Sequence, residues 1–552
     1  MLIAAQFDYT DDDVRTCVAE FQRELDRGLR ERTPTMCQIP TYITRVARGT
    51  EKGTSLAVDL GGTNLRVCSV DLHGDTTFTV LQSKISIPQE RMVASDGTRL
   101  FSFIAKQVES FLKIHHADCS TLSRNCKDQS FFSLGFTFSF PAYQNGINSG
   151  VLLRWTKGFD IPGVVGQDVC RLLQFEIDRL HLPVKVTALV NDAAGTIMSR
   201  AYTLPVSEPR TSIGAIFGTG TNGVYLEKLS KITKPLDGQY EKSTGEMFLS
   251  IEWGSFDNRL LVLPNTSYDI ELNEVSVNPG NQMFEKRVSG MFLGELLRIA
   301  LSAMHTDPKV GLFNSKYSSK AAPINDNSLL QTRWAVDSSI LSVAEADNSE
   351  DLTVLTQKIT ESLGIPTTSI SVEDARAVKI ISHAIGKRAA RLAGMAVGAV
   401  VLQSQRLVEP VRQPIVGTDP LIPERCLSDD ERVVSINSEE VTKAAEIDAK
   451  EQSSCVAVSE GYPSDAVQEH DVIDIGVDGS VIEYYPKFET YMREALKAVK
   501  EIGASGEDKI KIGIAKDGSS VGAAIIALLA TQQNLKKTHK TSELDETTPV
   551  KK

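Results

Sequence analysis

The chain reads LGFTFSFPAYQNGINSGVLLRWTKGFD from Leu134 to Asp160, and this stretch predicts a strand followed by a hairpin. Phenylalanine alternates with polar residues from Phe136 to Phe140, a pattern typical of a half-buried strand. Pro141 ends the strand, because proline has no backbone N–H to donate within a sheet. Asn145-Gly146 then predicts a tight turn of the hairpin type.

Polar side chains follow this strand at two places. Ser139 lies at its end, and Thr156-Lys157 lies in the loop beyond the hairpin. Hydroxyl groups and an ammonium group brought together in this way can bind a small polyhydroxylated ligand. For each residue taken alone, an ordinary strand or turn is the favoured interpretation, so the prediction depends on the sequence around them.

The composition indicates a globular protein of several units. A chain of 552 residues is too long for one core, and roughly two to four structural units are expected. The net charge of −12 argues against nucleic acid or an anionic membrane as a partner. Much of this acidity is local, since residues 427–469 hold eleven acidic and three basic residues.

Targeting and redox features favour a cytoplasmic protein. The N-terminal sequence MLIAAQFDYTDDD lacks the basic and apolar regions of a signal peptide. The apolar run from Leu392 to Leu402 is too short to span a bilayer and predicts a buried helix face. The eight cysteines show no metal-binding spacing, so we expect reduced thiols, mostly in the core.

A glycine turn precedes these motifs in the chain. The segment Ser55–Val70 reads SLAVDLGGTNLRVCSV and predicts two strands joined at Gly61–Asn64. Glycines let backbone N–H groups approach an anion closely, and Thr63 adds a hydroxyl group. Asp59, at the end of the first strand, could hold a metal-bound water beside that anion. A turn of this kind alone is a weak signal.

A second glycine turn follows in GAIFGTGTNGVYL, from Gly214 to Leu226. Its glycines match the GxGxxG pattern of dinucleotide-binding folds, but that pattern must lead into a helix. Residues 224–229 alternate like a strand, so we reject a dinucleotide-dependent oxidoreductase. Two strand–turn–strand units instead predict two phosphate-binding hairpins that face each other across a cleft.

Carboxylates complete the set of polar motifs. The apolar strand Val186–Val190 ends at Asn191-Asp192, and the small residues of a helix start follow. A carboxylate placed there suits general-base work on a substrate hydroxyl, and Asp192 is also suited to be the N-cap of that helix. Glu252 and Glu285 could accept hydrogen bonds from sugar hydroxyls, although Glu285 could instead be a solvated charge in a first helical turn.

The remaining sequence predicts helices, an insertion and a tail. Residues 405–470 have no periodicity and indicate a mobile insertion, and residues 534–552 indicate a disordered tail. Two DGS turns, at 478–480 and 517–519, could bracket the base and ribose of a nucleotide. The other predicted elements are helices over 11–32, 374–403 (capped by Ser371), 486–502 and 521–531, and a strand over 509–515.

Together these motifs resemble the eukaryotic hexokinase and glucokinase family, most closely its fungal members. The motifs that carry the resemblance are DLGGTNLRV, LGFTFSFP…WTKGFDIP, LVNDAAGT, FGTGTNG and VDGSV…YPKF, in this order. The resemblance implies the actin-like ATPase (ribonuclease H-like) fold, with two α/β domains, each around a five-stranded mixed sheet, and a central cleft. The implied small domain comprises 55–190 and 518–533, the large domain comprises 191–517, and the helical segment 1–54 packs on the large domain.

The resemblance also implies a role for each motif residue. Asp192 matches the general base, Lys157 a second catalytic residue, and Asp59 the residue that holds Mg²⁺ through water. The glucose-binding positions are matched by Ser139, Thr156, Lys157, Asn191, Asp192, Asn222, Glu252 and Glu285. The ATP phosphate positions are matched by Gly61, Thr63, Asn64, Gly218 and Thr219, and the adenosine positions by Gly479 and Ser480.

The implied reaction is phosphorylation of the 6-hydroxyl of D-glucose by ATP with Mg²⁺, the first step of glycolysis. Mannose and fructose are further candidate substrates, and the expected assembly is a monomer or homodimer. Ala193 replaces the threonine usual in the family, and a lost hydrogen bond there is worth about 1 kcal/mol. The alternative is a catalytically weak or inactive sugar-sensing regulator, which Ala193, the acidic insertion and the tail favour. The retention of every matched sugar and phosphate residue, including Asp192 and Lys157, opposes it.

Overall fold

The computed structural model describes residues 2–32, 34–61, 64–117, 131–155, 159–313, 328–407, 472–515 and 517–546, with side chains up to residue 533. Thr63, Thr156 and Lys157 lie outside the described residues, as does the predicted insertion from residue 408 onward.

Strands fall into three sheets in the described part of the chain. In chain order they are β1 (Ile39–Pro40), β2 (Lys52–Leu60), β3 (Asn64–His73), β4 (Phe78–Ser86), β5 (Phe132–Phe138), β6 (Ala142–Gly146), β7 (Ser149–Leu152), β8 (Val184–Val190), β9 (Thr211–Phe217), β10 (Thr221–Lys228), β11 (Glu246–Ser250), β12 (Ile473–Asp478) and β13 (Ile510–Ile514).

Helices surround these sheets. In chain order they are α1 (Leu2–Ala5), α2 (Asp11–Arg30), α3 (Gln89–Met92), α4 (Thr98–His115), α5 (Val169–Arg179), α6 (Asp192–Thr203), α7 (Ser267–Val275), α8 (Glu285–Val288), α9 (Gly290–Thr306), α10 (Ser339–Ala346), α11 (Thr353–Leu363), α12 (Val372–Ser404), α13 (Ser480–Tyr484), α14 (Phe488–Ala498), α15 (Gly503–Glu507) and α16 (Gly518–Glu546).

The two large sheets share one strand order. The first runs β4-β3-β2-β5-β8, and the second runs β1-β11-β10-β9-β12-β13. In the first sheet, the antiparallel strands β4-β3-β2 are followed by β5 and β8, which continue the sheet in parallel. In the second sheet, β11-β10-β9 are followed by β12 and β13 in the same way. The expectation of five strands is confirmed for the first sheet and wrong for the second, because the two-residue strand β1 pairs with β11.

Both glycine turns join antiparallel strands, as predicted. Strand β2 pairs with β3 across the first turn, and β9 pairs with β10 across the second. Because Gly223 lies within strand β10, the GxGxxG pattern is not a dinucleotide fingerprint. The hairpin β6–β7 turns at residues 147–148, just after the Asn145-Gly146 pair predicted to form the turn.

Strand β5 is buried along its whole length, so the expectation of a half-buried strand is wrong. It lies between the parallel strands β2 and β8, and helix α16 packs against it. On one face, a Cβ on Gly135 would lie 2.2 Å from the backbone oxygen of Ala523 in α16. On the other face, Phe136 belongs to a hydrophobic cluster with Phe101 of α4.

Helices α6 and α16 lie side by side, and each packs against one of the two large sheets. Helix α6 packs against β9 and β12, and α16 packs against β2, β5 and β8. The two helices approach so closely that a Cβ on Gly522 would lie 1.9 Å from the backbone oxygen of Gly195. Because α6 follows β8 and α16 follows β13, both helices begin at the edge where the parallel strands end.

Other elements agree with the sequence to different degrees. Helices α2 and α12 match their predictions, and Thr10 and Ser371 each form a capping box with an aspartate. Helix α16 extends to Glu546, so the tail predicted to be disordered is helical over 534–546. The predicted helix over 486–502 is shorter, since α14 ends at Ala498.

The described cysteines Cys17, Cys37, Cys68 and Cys170 are free thiols, and all but Cys37 are buried. This agrees with the expectation of reduced thiols in the core. Among the described residues, no helix is both long and apolar enough to cross a membrane.

Candidate active site

Asp192 is the first residue of helix α6 rather than its N-cap. The N-cap is Asn191, whose Oδ1 accepts a hydrogen bond from the backbone N–H of Ala193 at 3.0 Å. The interpretation of Asp192 as the N-cap is therefore wrong. The Asp192 carboxylate accepts from the same N–H at 2.8 Å, and its side chain is half-buried at the edge where β8 ends.

Asn222 and Glu252 form one polar network with Ser250. The Asn222 side-chain amide donates to the Glu252 carboxylate and to the Ser250 hydroxyl, each at 3.0 Å. The Ser250 hydroxyl also donates to Glu252 at 2.7 Å, and the backbone N–H of Glu252 returns a hydrogen bond to Asn222 Oδ1 at 3.0 Å. These contacts fix the orientation of both side chains before any ligand binds.

The Glu252 carboxylate has a raised pKa. Burial is the main cause, and the negative charge of Asp192 raises the pKa further, against the hydrogen bonds from Ser250 and Asn222 and the nearby cation of Arg154. The charge of Asp192 therefore acts on the residue matched to sugar binding, which places these two carboxylates in one region.

Glu285 lies in the first turn of α8, as the alternative expected, but it is half-buried and hydrogen-bonded rather than freely solvated. Its Oε2 accepts a hydrogen bond from the backbone N–H of Thr221 at 3.0 Å, at the end of the second glycine turn. A Cβ on Gly220 would lie 2.9 Å from the same oxygen, so glycine permits this approach. The Thr221 hydroxyl accepts a hydrogen bond from the indole N–H of Trp253 at 2.9 Å.

The two glycine turns present their backbones differently. A Cβ on Gly61 would meet no described atom closer than the backbone oxygen of Asn64 at 3.8 Å, so the described residues leave room beside Gly61. Helix α9 holds the second turn, since the carbonyl groups of Gly218 and Thr219 accept hydrogen bonds from the first N–H groups of this helix at 2.8 and 3.2 Å.

Asp59 lies at the end of β2, opposite the start of α16. Its carboxylate accepts hydrogen bonds from the hydroxyl groups of Ser519 at 3.1 Å and Ser520 at 3.5 Å. No group of three or more His, Cys, Asp or Glu side chains that could hold a metal occurs in the described ranges. Nucleotide-bound Mg²⁺ is held by one or two carboxylates together with phosphate and water, so Asp59 fits this requirement.

The carboxylate of Asp478, just before the adenosine-matched residues, connects the two DGS turns. Asp478 accepts hydrogen bonds from the N–H groups of Gly479 at 2.7 Å and Gly518 at 3.1 Å. Burial, followed by the charges of Asp517 and Asp192, raises the pKa of Asp478 to about 6. Gly479 has φ +119°, which favours glycine, and Ser480 is exposed.

The remaining matched residues are placed as follows. Ser139 is half-buried, and its backbone N–H donates to the Leu60 carbonyl at 3.5 Å, which puts the end of β5 beside the first turn. The predicted roles of Thr63, Thr156 and Lys157 lie outside the described residues. The structure thus brings Asp192, Glu252 and Asp478 together, and it places Asp59 and Ser139 at the ends of the neighbouring strands β2 and β5.

Sequence reasoning missed several members of this site. Ser250 could have been found, because residues two apart in an alternating segment share a face, and Ser250 stands two before Glu252. Asp478 was noticed only as part of a turn. The ion pair between Arg66 and Asp517, at 2.9 Å, joins residues from opposite ends of the chain and left no local signal.

Comparison with known proteins agrees with this geometry. Two family models, both described as hexokinase, match residues 2–202 and 212–529. The chain is 47% identical to a glucokinase of Aspergillus niger, with 97% of each chain covered, and 37% identical to glucokinase-1 of Saccharomyces cerevisiae, with 96% of each covered. The structure of a hexokinase from Schistosoma mansoni complexed with glucose matches with a TM-score of 0.70 and 29% identity, covering 95% of this chain and 97% of that one.

The repeated sheets and these structural neighbours define an α/β kinase with the actin-like ATPase fold, which confirms the fold expected from the motifs. The chain belongs to the hexokinase family. Within that family, both relatives named above at 37% identity or more are fungal glucokinases, so the predicted enzyme class is confirmed.

Proposed function

We propose that this kinase transfers the γ-phosphoryl group of ATP to the 6-hydroxyl group of D-glucose, giving glucose 6-phosphate and ADP. The observation that supports it most directly is the position of Asp192, whose half-buried carboxylate lies at the start of α6, at the edge where β8 ends, and accepts the backbone N–H of Ala193 at 2.8 Å. Besides burial, its charge contributes to the raised pKa of both Glu252, a sugar-matched residue, and Asp478, which adjoins the adenosine-matched residues. A charge that acts on both lies near both, where a sugar hydroxyl would meet a terminal phosphate.

Asp192 is the proposed general base. It takes the proton of the 6-hydroxyl while the sugar oxygen forms its bond to the γ-phosphorus, and the bond from that phosphorus to the bridging oxygen of ADP breaks. A positioned base of this kind contributes about 10²- to 10⁴-fold to the rate. The remaining acceleration comes from holding the reacting groups in line and from electrostatic stabilisation.

The sugar is held by side chains whose orientation the protein already sets. Asn222 and Glu252 lock each other through Ser250, and Glu285 is held by the second glycine turn. Ionised carboxylates can each accept several hydrogen bonds, which suits a ligand covered with hydroxyl groups. Ser139 and Asn191, with Thr156 and Lys157, complete the proposed glucose site.

The nucleotide is held by the two glycine turns and by the segment after β12. Gly61, Thr63, Asn64, Gly218 and Thr219 contact the phosphates in this proposal, and Gly479 and Ser480 contact the adenosine. Asp59 would hold Mg²⁺ through water, and the bound ion would neutralise phosphate charge. Lys157 adds a positive charge near the transferred group.

Several finer predictions accompany this function. We propose two domains, 55–190 with 518–533 and 191–517, which close on glucose to exclude water. Small-angle scattering checks this, because closure predicts a smaller radius of gyration with saturating glucose and no change contradicts it. A cytoplasmic location and a monomeric or homodimeric state also stay predictions.

The direct test is ATP-dependent glucose phosphorylation, coupled to glucose-6-phosphate dehydrogenase. We expect turnover that requires ATP, Mg²⁺ and glucose together, and fructose and mannose run in parallel determine the breadth of specificity. Calorimetric glucose binding without turnover would contradict the proposal and favour the sugar-sensing regulator.

A further inference from the structure

A buried carboxylate, Glu345, binds four donor side chains, and two of these donors come shortly after the adenosine-matched residues in the chain. The proposed reaction does not use this group. Glu345, on helix α10, is 5% exposed. It accepts hydrogen bonds from the hydroxyl groups of Tyr485 at 3.2 Å and Tyr491 at 3.1 Å, from Lys487 Nζ at 3.0 Å and from His383 Nδ1 at 2.9 Å. These five residues are called the Glu345 cluster below.

The protonation states keep this cluster intact near neutral pH. Burial raises the pKa of Glu345, but the hydrogen bonds and charges of His383 and Lys487 outweigh it, and the net pKa lies below its usual range. Burial, with the neighbouring Glu345 charge, raises the pKa of Tyr485 and Tyr491. The carboxylate therefore stays ionised and both phenols stay protonated donors.

Tyr485 connects the cluster to the nucleotide segment. It directly follows helix α13, which has five residues and includes Ser480 at its start. A helix this short is not stable alone, so its position depends on what holds its ends. Asp478 holds the first end through the N–H of Gly479, and Glu345 holds the second end through Tyr485.

Helix α12 leaves Tyr485 little freedom to move. A Cβ on Gly386 would lie 2.2 Å from the Tyr485 hydroxyl oxygen, so the phenol occupies the space that a larger residue would fill. The ring also contacts Phe488, which contacts Phe217 at the end of β9, immediately before the second glycine turn. A loss of the Glu345 contact would therefore shift residues on the nucleotide side of the cleft.

We propose that Glu345 is a positioning residue for ATP, which fixes Tyr485 and through it the segment carrying Gly479 and Ser480. The inference rests on the proposed function for the identity of the nucleotide. It predicts a selective effect, because Asn222 and Glu252 on the sugar side are oriented by Ser250 and by no member of the Glu345 cluster.

The test is calorimetric binding of ATP with Mg²⁺ to the full chain carrying Glu345→Gln. This change keeps the shape of the side chain but removes the charge that four donors share, and the predicted loss of ATP affinity is about tenfold. Glucose affinity is expected to stay within about twofold. Glu350→Gln, an exposed carboxylate five positions along the chain, is the matched control and should change neither affinity.

A second variant keeps the inference testable if Glu345→Gln does not fold. Tyr485→Phe removes a single hydroxyl and leaves Glu345 with three donors, so ATP affinity should fall by about two- to threefold. In steady-state assays, the KM for ATP should rise in both variants while the KM for glucose stays constant. In the double variant, the fold-loss of ATP affinity should be smaller than the product of the two single-variant losses, because both changes break the same contact.

Two results would overturn the inference. One is a folded Glu345→Gln protein that binds ATP as tightly as the wild type. The other is an equal loss of affinity for both substrates with a lowered melting temperature, as a general structural role predicts. Failure of the proposed function is a separate result, because ATP binding is measured without turnover.

Discussion

The two large sheets repeat one strand order, and each leads into a helix with an aspartate at its start, but these two aspartates have different partners. Asp192 follows β8 and begins α6, whereas Asp517 follows β13 and precedes α16. Asp517 forms an ion pair with Arg66 at 2.9 Å. Both aspartates raise the pKa of Asp478, after burial, and Asp192 also raises the pKa of Glu252.

This contrast concerns the contacts of the two carboxylates. Asp517 is committed to its ion pair with Arg66, whereas the Asp192 carboxylate accepts a hydrogen bond from the backbone N–H of Ala193 at 2.8 Å. In the proposed reaction, Asp192 takes the proton of the sugar hydroxyl. Asp517 has a structural task, since its partner Arg66 lies on β3 and the pair ties α16 to the first sheet.

The largest effect is expected from Asp192→Asn. The amide keeps the size of the side chain but cannot take a proton, so turnover should fall by about 10²- to 10⁴-fold. The coupled assay measures turnover, and calorimetry measures glucose binding, which should stay within about fivefold because Asn222, Glu252 and Glu285 remain. Unchanged turnover would remove Asp192 from the role of base.

The two glycine turns should respond differently to one added methyl group. Gly61→Ala meets no described atom within 3.8 Å, so the free energy of unfolding should change by about 0.5 kcal/mol or less. Because the methyl group would occupy space beside Gly61, where phosphate is proposed to bind, turnover should fall by roughly 10- to 100-fold.

Gly223→Ala is the matched comparison in the second hairpin. Its Cβ would lie 2.4 Å from the Trp253 ring, so the free energy of unfolding should fall by about 1–3 kcal/mol. Urea unfolding measures both variants. A stable Gly223→Ala protein, or an unstable Gly61→Ala protein, would contradict this account of Gly61 at the first turn and of Gly223 in strand β10.

A smaller effect is expected from Glu252→Gln and from pH. Loss of the carboxylate acceptor should raise the KM for glucose about tenfold. In the wild type, protonation has the same consequence, and the pKa of Glu252 is raised, mainly by burial. The KM should therefore rise as the pH falls, starting at a higher pH than for an ordinary glutamate.

This pH dependence should disappear in Glu252→Gln and persist in Glu271→Gln, which changes an exposed carboxylate on α7. Steady-state assays across the acidic range measure it. A KM for glucose that follows pH equally in all three proteins would exclude Glu252 as its cause.

The smallest effect is expected from Ala193→Thr. The Ala193 side chain is fully buried, while its backbone N–H already contacts both Asn191 and Asp192. Because the contact to the base comes from the backbone, the missing hydroxyl group should matter little, and turnover should change by less than about threefold. A gain above about tenfold would show that Ala193 weakens catalysis and would favour the regulatory alternative.

The sequence predicted the hairpins and capped helices because their signals are local. Glycine turns between alternating residues and Ser371 before an apolar helix depend on neighbours only. The burial of β5 could not be read in this way, since it depends on α16, which comes from the end of the chain and covers Gly135. The N-cap was assigned to the wrong one of two adjacent residues, because Asn191 and Asp192 have similar capping propensity.

The site was predicted where a motif contains the residue and missed where a contact is distant. Asn222 and Glu252 were found through the family resemblance, whereas the hydroxyl of Ser250 between them was not. The Glu345 cluster joins α10, α12, the segment after α13 and α14, and no local pattern links these elements.

The account is tested most directly by the turnover of Asp192→Asn measured beside that of Asp517→Asn. Asparagine tolerates the positive φ of +53° at residue 517, so the second variant should fold. We predict a loss of at least about 10²-fold for Asp192→Asn and less than about tenfold for Asp517→Asn. Equal losses, or a larger loss at Asp517, would contradict the assignment of the base to Asp192.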